Sequence, residues 1–378
     1  MRLTRGQVLA YRAAVSDLTR RVDTPENCRA LATGVQDTPP GTTAARALLA
    51  RTGPGGHEAV RAVPGTAVVH SMRATMHLHR TADLGLYAAA LRPGDAAEIA
   101  VPQQGPFFQE LQAEGVTPGE ALDQVAAAMR EVMRDGVPRT KGELSGAVRP
   151  LVDTRLRPWC GGCGIDHVHD GLFRYATLPA GLAVVPSDDS SMFRFHLVLD
   201  GVPEVAGETA RRELIRRFLH ACGPARYGQL AAWLALSPAA GRAMWRLLES
   251  ELAPVEVDGV VRFVHGDDLE RVANPPEPPR LRLVPPYDPL LEIVDRELVV
   301  PDPARRRRIW RAVANPGVIL RYGECAGVWR HRTVRHRLVV TTEPFEPLAM
   351  ADLTVVTRDA EALARLAGLG GAEVRSAN

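Results

Sequence analysis

Apolar residues recur at three- and four-residue intervals through much of the first 270 positions. Short alternating segments replace them beyond a proline-rich stretch at 272–280. The clearest block lies within 203–272. There "ETARRELIRRFLHACG" predicts an amphipathic helix ending at Gly223, and "ARYGQLAAWLAL" predicts a second. In "SPAAGRAMWRLLESEL", Ser237 is placed to cap a third helix and Pro238 to begin it, with Met244, Leu247, Leu248 and Leu252 on one apolar face. "PVEVDGVVRFVHG" then alternates about Asp258-Gly259, a pair suited to a tight hairpin turn. Three helices followed by a hairpin is the order of a winged helix.

A fainter copy occupies 113–202. "TPGEALDQVAAAMREVMRDG" predicts a helix capped by Thr117, "TKGELSGAVRPLV" a second and "HDGLFRYATLPAGL" a third, before the hairpin "AVVPSDDSSMFRFHLVL" with its polar tip. The first 112 residues repeat the theme. "TRGQVLAYRAAV", "TPENCRALATGV" and "PPGTTAARALLART" read as helices, and "TAVVHSMRATMHLH" as a strand. Beyond the proline-rich stretch, "LRLVPPYDPLLEIV", "PGVILRYGECAGVWRHR", "RHRLVVTTEPF" and "DLTVVTRD" predict short strands, closed by a helix at 359–368. The expected fold class is α+β: tandem winged-helix modules at 1–112, 113–202 and 203–272, with a β-rich domain at 281–378.

Bulk properties narrow the partners. The 378 residues exceed one compact core, and 46% hydrophobic content supports several. A net charge of +2 excludes a histone-like polycation, so any nucleic-acid surface must be local. Five cysteines, an odd number, argue against a disulfide framework. The N-terminus has no long apolar stretch and no apolar run reaches membrane-spanning length, so a soluble, cytoplasmic protein with no membrane partner is expected. No coiled-coil heptads appear, and a monomer without a cofactor is expected.

Five stretches carry candidate chemistry. Gln36, Asp37 and Thr38 precede a helix that otherwise reads as packing material; Asp or Thr before Pro is ordinary turn and cap chemistry, whereas Gln adds nothing to a turn. Arg73, Thr75, His77 and His79 alternate along a strand and are expected to face a surface or cleft, with Met72, Met76 and Leu78 on the core side. "RYGECAGVWRHR" presents Trp329 between basic residues, Arg330 and Arg332, able to stack and to bind phosphate. Arg305 to Arg308 form a basic run that reads as a solvated helix face or a phosphate contact. Cys160, Cys163, His167 and His169 in "CGGCGIDHVH" are zinc-binding residue types, but the spacing is too short for a finger. The expectation there is no metal, only a glycine-rich turn with buried thiols and polar caps.

Taken together, "GVQDTPPGTTAARALLAR", "SMRATMHLH", "PPYDPLLEIVDRELVV" and "GVWRHR" resemble the AlkZ-type bacterial DNA glycosylases, winged-helix proteins that remove alkylated purines and unhook crosslinks. The resemblance implies winged helices arranged in a C-shape and a C-terminal β-domain. It implies duplex DNA carrying alkyl-purine adducts as partner, N-glycosidic hydrolysis, and self-resistance to a DNA-alkylating natural product. The family's motif is Gln-aliphatic-Gln or Gln-aliphatic-Asp. Gln36 fits either its first or its second polar position, and one expected side chain is missing each way. Gln36, Asp37 and Thr38 are the catalytic candidates, with the Gln36 carbonyl orienting water and the Asp37 carboxylate polarising it. Arg51, Arg73, Thr75, His77, His79, Trp329, Arg330 and Arg332 form the expected DNA-contacting set. An adduct-binding protein without catalysis, or a winged-helix regulator, is the alternative.

Overall fold

The computed structural model describes residues 1–19, 24–100, 105–186, 193–198, 202–292 and 295–377. Strand β1 (Arg2–Leu3) leads into helix α1 (Arg5–Val15), which starts where Thr4 and Gln7 close a capping box. Eight successive residues of α1, Val8 to Val15, are buried, so this helix is hidden on all sides over two turns. Its polar members are tied off. Arg12 donates to the Gly223 and Pro224 carbonyls and pairs with Asp295 at 3.0 Å. Arg5 reaches the Leu298 and Val299 carbonyls and pairs with Glu324 at 2.6 Å.

"TPENCRALATGV" forms two 3-10 turns, Pro25–Asn27 and Arg29–Ala32, instead of the expected helix, because Cys28 between them is extended. Then follow β2 (Val35–Gln36) and α2 (Thr43–Thr52). "TAVVHSMRATMHLH" is a hairpin, not one strand: β3 (Thr66–His70) and β4 (Met76–Arg80) flank a turn in which Arg73 and Ala74 have φ of +58° and +55°. The sheet order is β2-β4-β3.

Beyond α3 (Leu84–Ala90), the second block contains α4 (Phe107–Ala113), α5 (Pro118–Met133) and α6 (Lys141–Val148). Thr117 with Glu120, and Thr140 with Glu143, close capping boxes on α5 and α6. A small hairpin, β5 (Trp159–Cys160) and β6 (Ile165–Asp166), precedes α7 (Asp170–Thr177) and the hairpin of β7 (Leu182–Pro186) and β8 (Phe193–Leu197). The expected polar tip of that last hairpin, 187–192, lies outside the described residues. Leu122, Met129, Phe173 and Phe195 anchor the block's own core. The thiols of β5–β6 are not buried as expected: Cys163 is exposed and Cys160 half-buried.

The third block follows its predicted order: α8 (Gly207–Cys222), α9 (Tyr227–Leu234), α10 (Pro238–Arg246), then β9 (Leu252–Val257) and β10 (Val260–His265). Ser237 Oγ accepts from the Ala240 N–H at 3.2 Å. Asp258 and Gly259, at φ +50° and +76°, make the turn. Leu252, expected on the helix, instead opens β9. β1 pairs in parallel with β9, so the sheet runs β1-β9-β10.

After α11 (Leu269–Ala273) come β11 (Leu281–Val284) and three short helices, α12 (Pro289–Glu292), α13 (Arg296–Val299) and α14 (Pro303–Ile309). β12 (Gly317–Arg321), β13 (Glu324–Val334) and β14 (Arg337–Pro344) continue the sheet. "DLTVVTRD", expected as a strand, lies inside helix α15 (Met350–Leu366). Asp352, Val356, Ala360 and Leu363 bury one helical face, and Asp352 meets Arg280 at 2.9 Å and Arg321 at 3.1 Å. β15 (Ala372–Ser376) completes the order β11-β12-β13-β14-β15. One core unites Tyr11, Phe218, Trp233, Leu290 and Leu320 across distant parts of the chain, and another packs α2 between the C-terminal sheet and α15. Among the described residues no helix is long and apolar enough to cross a membrane.

Candidate functional site

The turn after β2 is held by its own polar groups. Gly34, at φ +78°, passes so close to the His79 ring that a Cβ would lie 2.4 Å from Cε1. Only glycine combines that backbone angle with that approach. The Asp37 N–H donates to the Met76 carbonyl at 2.9 Å. The Asp37 carboxylate accepts from the backbone N–H groups of Gly41 (2.5 Å), Thr42 (3.0 Å) and Ala44 (3.1 Å). Burial pushes its carboxyl above the usual range, against the pull of those N–H groups. Thr43 Oγ1 locks the other side, donating to the Gln36 carbonyl at 2.8 Å and accepting from the Thr38 N–H at 2.9 Å.

Asp37 therefore builds the turn and caps α2, while its neighbours Gln36 and Thr38 share the opposite side. Gln36 Nε2 donates to Thr38 Oγ1 at 3.4 Å, and Gln36 Oε1 accepts from Arg73 Nη2 at 3.1 Å. The guanidinium is donor-only, which fixes the amide orientation. Arg73 also donates to the Trp233 carbonyl at 2.9 Å and forms an ion pair with Glu292. Its left-handed backbone at the β3–β4 turn aims it here, a conformation a non-glycine residue holds only when its surroundings demand it. Gln36 is 7% exposed, whereas Thr38, Arg73 and Glu292 are half-buried. The site is thus a buried amide bonded to a half-buried guanidinium and hydroxyl, with the Glu292 carboxylate paired to that guanidinium. A cavity of about 30 Å³ borders Gln36, His77, Trp233 and Glu292, room for a water molecule.

Residues 30–366 match the family described as DNA glycosylase AlkZ-like. The chain belongs to that family. Its fold is similar to that of Streptomyces sahachiroi DNA glycosylase AlkZ, with a TM-score of 0.75 and 24% identity over 100% of both chains. No curated protein sequence matches significantly.

Within this AlkZ-like chain, the expected site residues separate sharply. Arg51 is fully buried, bonded twice to Asp288 (2.7 and 3.0 Å) and to the Ser16 and Ala47 carbonyls, so it is enclosed rather than facing DNA. Trp329 is 1% exposed; its indole N–H donates to the Val284 carbonyl at 2.9 Å, which makes it a core residue of the C-terminal sheet. Met72 is buried as expected, but the reading of the strand at 76–80 is inverted. His77 and His79 face inward, Ser71 Oγ lies 3.0 and 2.9 Å from their ring nitrogens, and the His79 ring packs at a tilt against Tyr87. Burial holds His79 at about 3 and His77 well below its ordinary value, so both are neutral and neither is a phosphate cation. Thr75, half-buried, donates to the Met72 carbonyl. Met76 and Leu78, expected in the core, are only half-buried.

Arg330 is half-buried and donates to the Ala314 carbonyl, while Arg332 is exposed on the β13–β14 hairpin beside exposed Arg335, His336 and Arg337. In the basic run, Arg305 and Arg308 lie over Phe345 and pair with Glu346 and Glu343. Glu292 escaped the sequence reading. It sits one helical turn after Asp288, but nothing local signals its approach to Arg73, 219 positions away.

Proposed function

We propose that the chain is a monofunctional DNA glycosylase that hydrolyses the N-glycosidic bond of bulky or crosslinking alkylated purines, N7-alkylguanine in type. The observation that carries this reading is the Gln36–Arg73–Glu292 chain beside the turn. A purine alkylated at N7 is cationic and leaves readily, so the enzyme has little need to protonate it. It must instead hold water near C1′ and stabilise positive charge on the sugar. The Gln36 carbonyl has two lone pairs. Arg73 takes one, leaving the other for a water that the amide orients without titrating. Glu292 supplies the carboxylate that stabilises an oxocarbenium-like sugar, as carboxylates do in glycoside hydrolysis. Thr38 and Arg73 keep the amide in place. Asp37 is assigned to the turn, its oxygens being taken by backbone N–H groups.

Strand cleavage by a lysine Schiff base has little support here. Lys141 is the single lysine of the chain, and it pairs with Asp170 in the second block. The exposed cations Arg332, Arg335 and Arg337 give the hairpin a means of tracking phosphate. Self-resistance to a DNA-alkylating natural product, acting as a monomer on duplex DNA, fits this substrate class.

The test is a single-turnover time course of base release from duplex DNA bearing an N7-alkylguanine, with strand breaks scored before alkali. Native protein should release the base without nicking. Gln36→Ala and Glu292→Gln should each slow release about 100-fold or more while the fold is kept. Release that is unaffected by both changes, or absent from every alkylpurine tried, overturns the proposal.

A further inference from the structure

The β5–β6 hairpin holds a constellation that the glycosylase chemistry does not use. Its ladder has two residue pairs, Trp159 with Asp166 and Cys160 with Ile165, and a ladder that short is marginal in water. It also presents Trp159 and Ile165, which are 70% and 48% exposed. Its base is tied by Asp166, which pairs with Arg149 and with Arg157 at 2.7 Å. Its tip is tied by the Cys163 and Gly164 N–H groups, which both donate to the Cys160 carbonyl, with Gly164 at φ +67°. That turn brings the Cys160 and Cys163 sulfurs and a ring nitrogen of His167 within 4.8 Å of one another.

We propose that Cys160, Cys163 and His167 bind one zinc ion, with solvent as the fourth ligand. The donor set suits it. Two thiolates and an imidazole favour zinc, and tetrahedral zinc separates its ligand atoms by roughly 3.5–3.8 Å. His167 is oriented for the task. Its Nδ1 lies 2.8 Å from the Val168 carbonyl, which can only accept, so Nδ1 carries the proton and Nε2 keeps its lone pair for the metal. Metal-bound histidines are commonly oriented by such a backbone carbonyl. Binding Zn²⁺ displaces the two thiol protons and joins both strands to the start of α7. His169 stays outside the set, since its ring stacks on Phe107 at 4.0 Å. The ion would fasten the hairpin rather than act on substrate.

The test uses the full-length, untagged protein, reduced, stripped with a chelator and titrated with Co²⁺ and then Zn²⁺. One equivalent of Co²⁺ should give a thiolate charge-transfer band and tetrahedral d–d absorption, both erased by Zn²⁺. Cys160→Ser and Cys163→Ser should abolish the spectrum, and His167→Ala should weaken Zn²⁺ binding about ten-fold or more. His169→Ala should bind normally. If reduced native protein takes up no more metal than a Cys160→Ser, Cys163→Ser double variant, the site is not a metal site. A Cys160–Cys163 disulfide that re-forms in air with no metal uptake after reduction also overturns the proposal, in favour of a redox pair.

Discussion

Replacing Arg51 by methionine should cost more stability than removing any exposed arginine. Its guanidinium donates to Ser16 O (2.6 Å), Ala47 O (2.7 Å) and both Asp288 oxygens (2.7 and 3.0 Å), and neither charged side chain touches solvent. Methionine fills much of the space and donates nothing. Asp288 would keep the Leu290 N–H at 3.0 Å but lose its counter-charge. Breaking a buried pair from one side costs about 3–5 kcal/mol. The Ser16 carbonyl, left without its donor, raises the loss by roughly 1–3 kcal/mol, toward the lower end of the total stability of an ordinary protein. Urea unfolding at pH 7, followed by far-ultraviolet circular dichroism, measures it as a lower midpoint. The double variant Arg51→Met, Asp288→Asn removes the stranded charge. It should be less damaged than the two single changes predict, with a coupling of about 1–3 kcal/mol. Single variants within about 1 kcal/mol of native would refute this accounting. So would weaker binding to adducted DNA at an unchanged midpoint, which would put Arg51 back on the DNA.

Asp37→Asn should cost about 1–2 kcal/mol of stability as a weakened cap, yet keep base release within about ten-fold of native. A loss as deep as that of Gln36→Ala would make Asp37 the reacting carboxylate. Gly34→Ala should destabilise by at least about 2 kcal/mol, from the left-handed backbone and the forced shift of His79, seen as a melting temperature several degrees lower. His70 is buried against Thr177 at 3.2 Å, and desolvation holds it at about 3 in the folded protein. The unfolded chain therefore binds the proton first, and stability falls as pH drops from the ordinary histidine value of about 6.5 toward 3. At pH 5 this histidine's share is about 2 kcal/mol. His70→Asn should thus lose less stability than native between pH 7 and pH 5 in paired urea titrations, and equal losses would contradict the assignment.

The elements most legible in the sequence were those set by local chemistry. The third block could be read because Ser237-Pro238, Asp258-Gly259 and a 3.6-residue apolar period all agree with the fold. α15 was misread because Thr354, Val355 and Val356 favour strands locally, while the decisive pattern, Asp352 to Leu363, shows only once the helical face has a sheet beneath it. In the site, Gln36 and Arg73 stood out as polar residues without a local reason. Arg51, His77 and His79 were read as surface groups because their residue types usually are. Their partners Asp288, Ser71 and Tyr87 make burial affordable, and the Arg51–Asp288 pairing spans 237 positions, beyond any local window. Glu292 was invisible for the same reason.

The pairing of β1 with β9 sets an order on biosynthesis. The strand that seats β1 leaves the ribosome some 250 residues after it, so the apolar flanks of α1 wait for that partner until β9 has been made. Chaperone dependence during expression should therefore centre on this segment, and supplying residues 202–274 as a separate polypeptide should shield it.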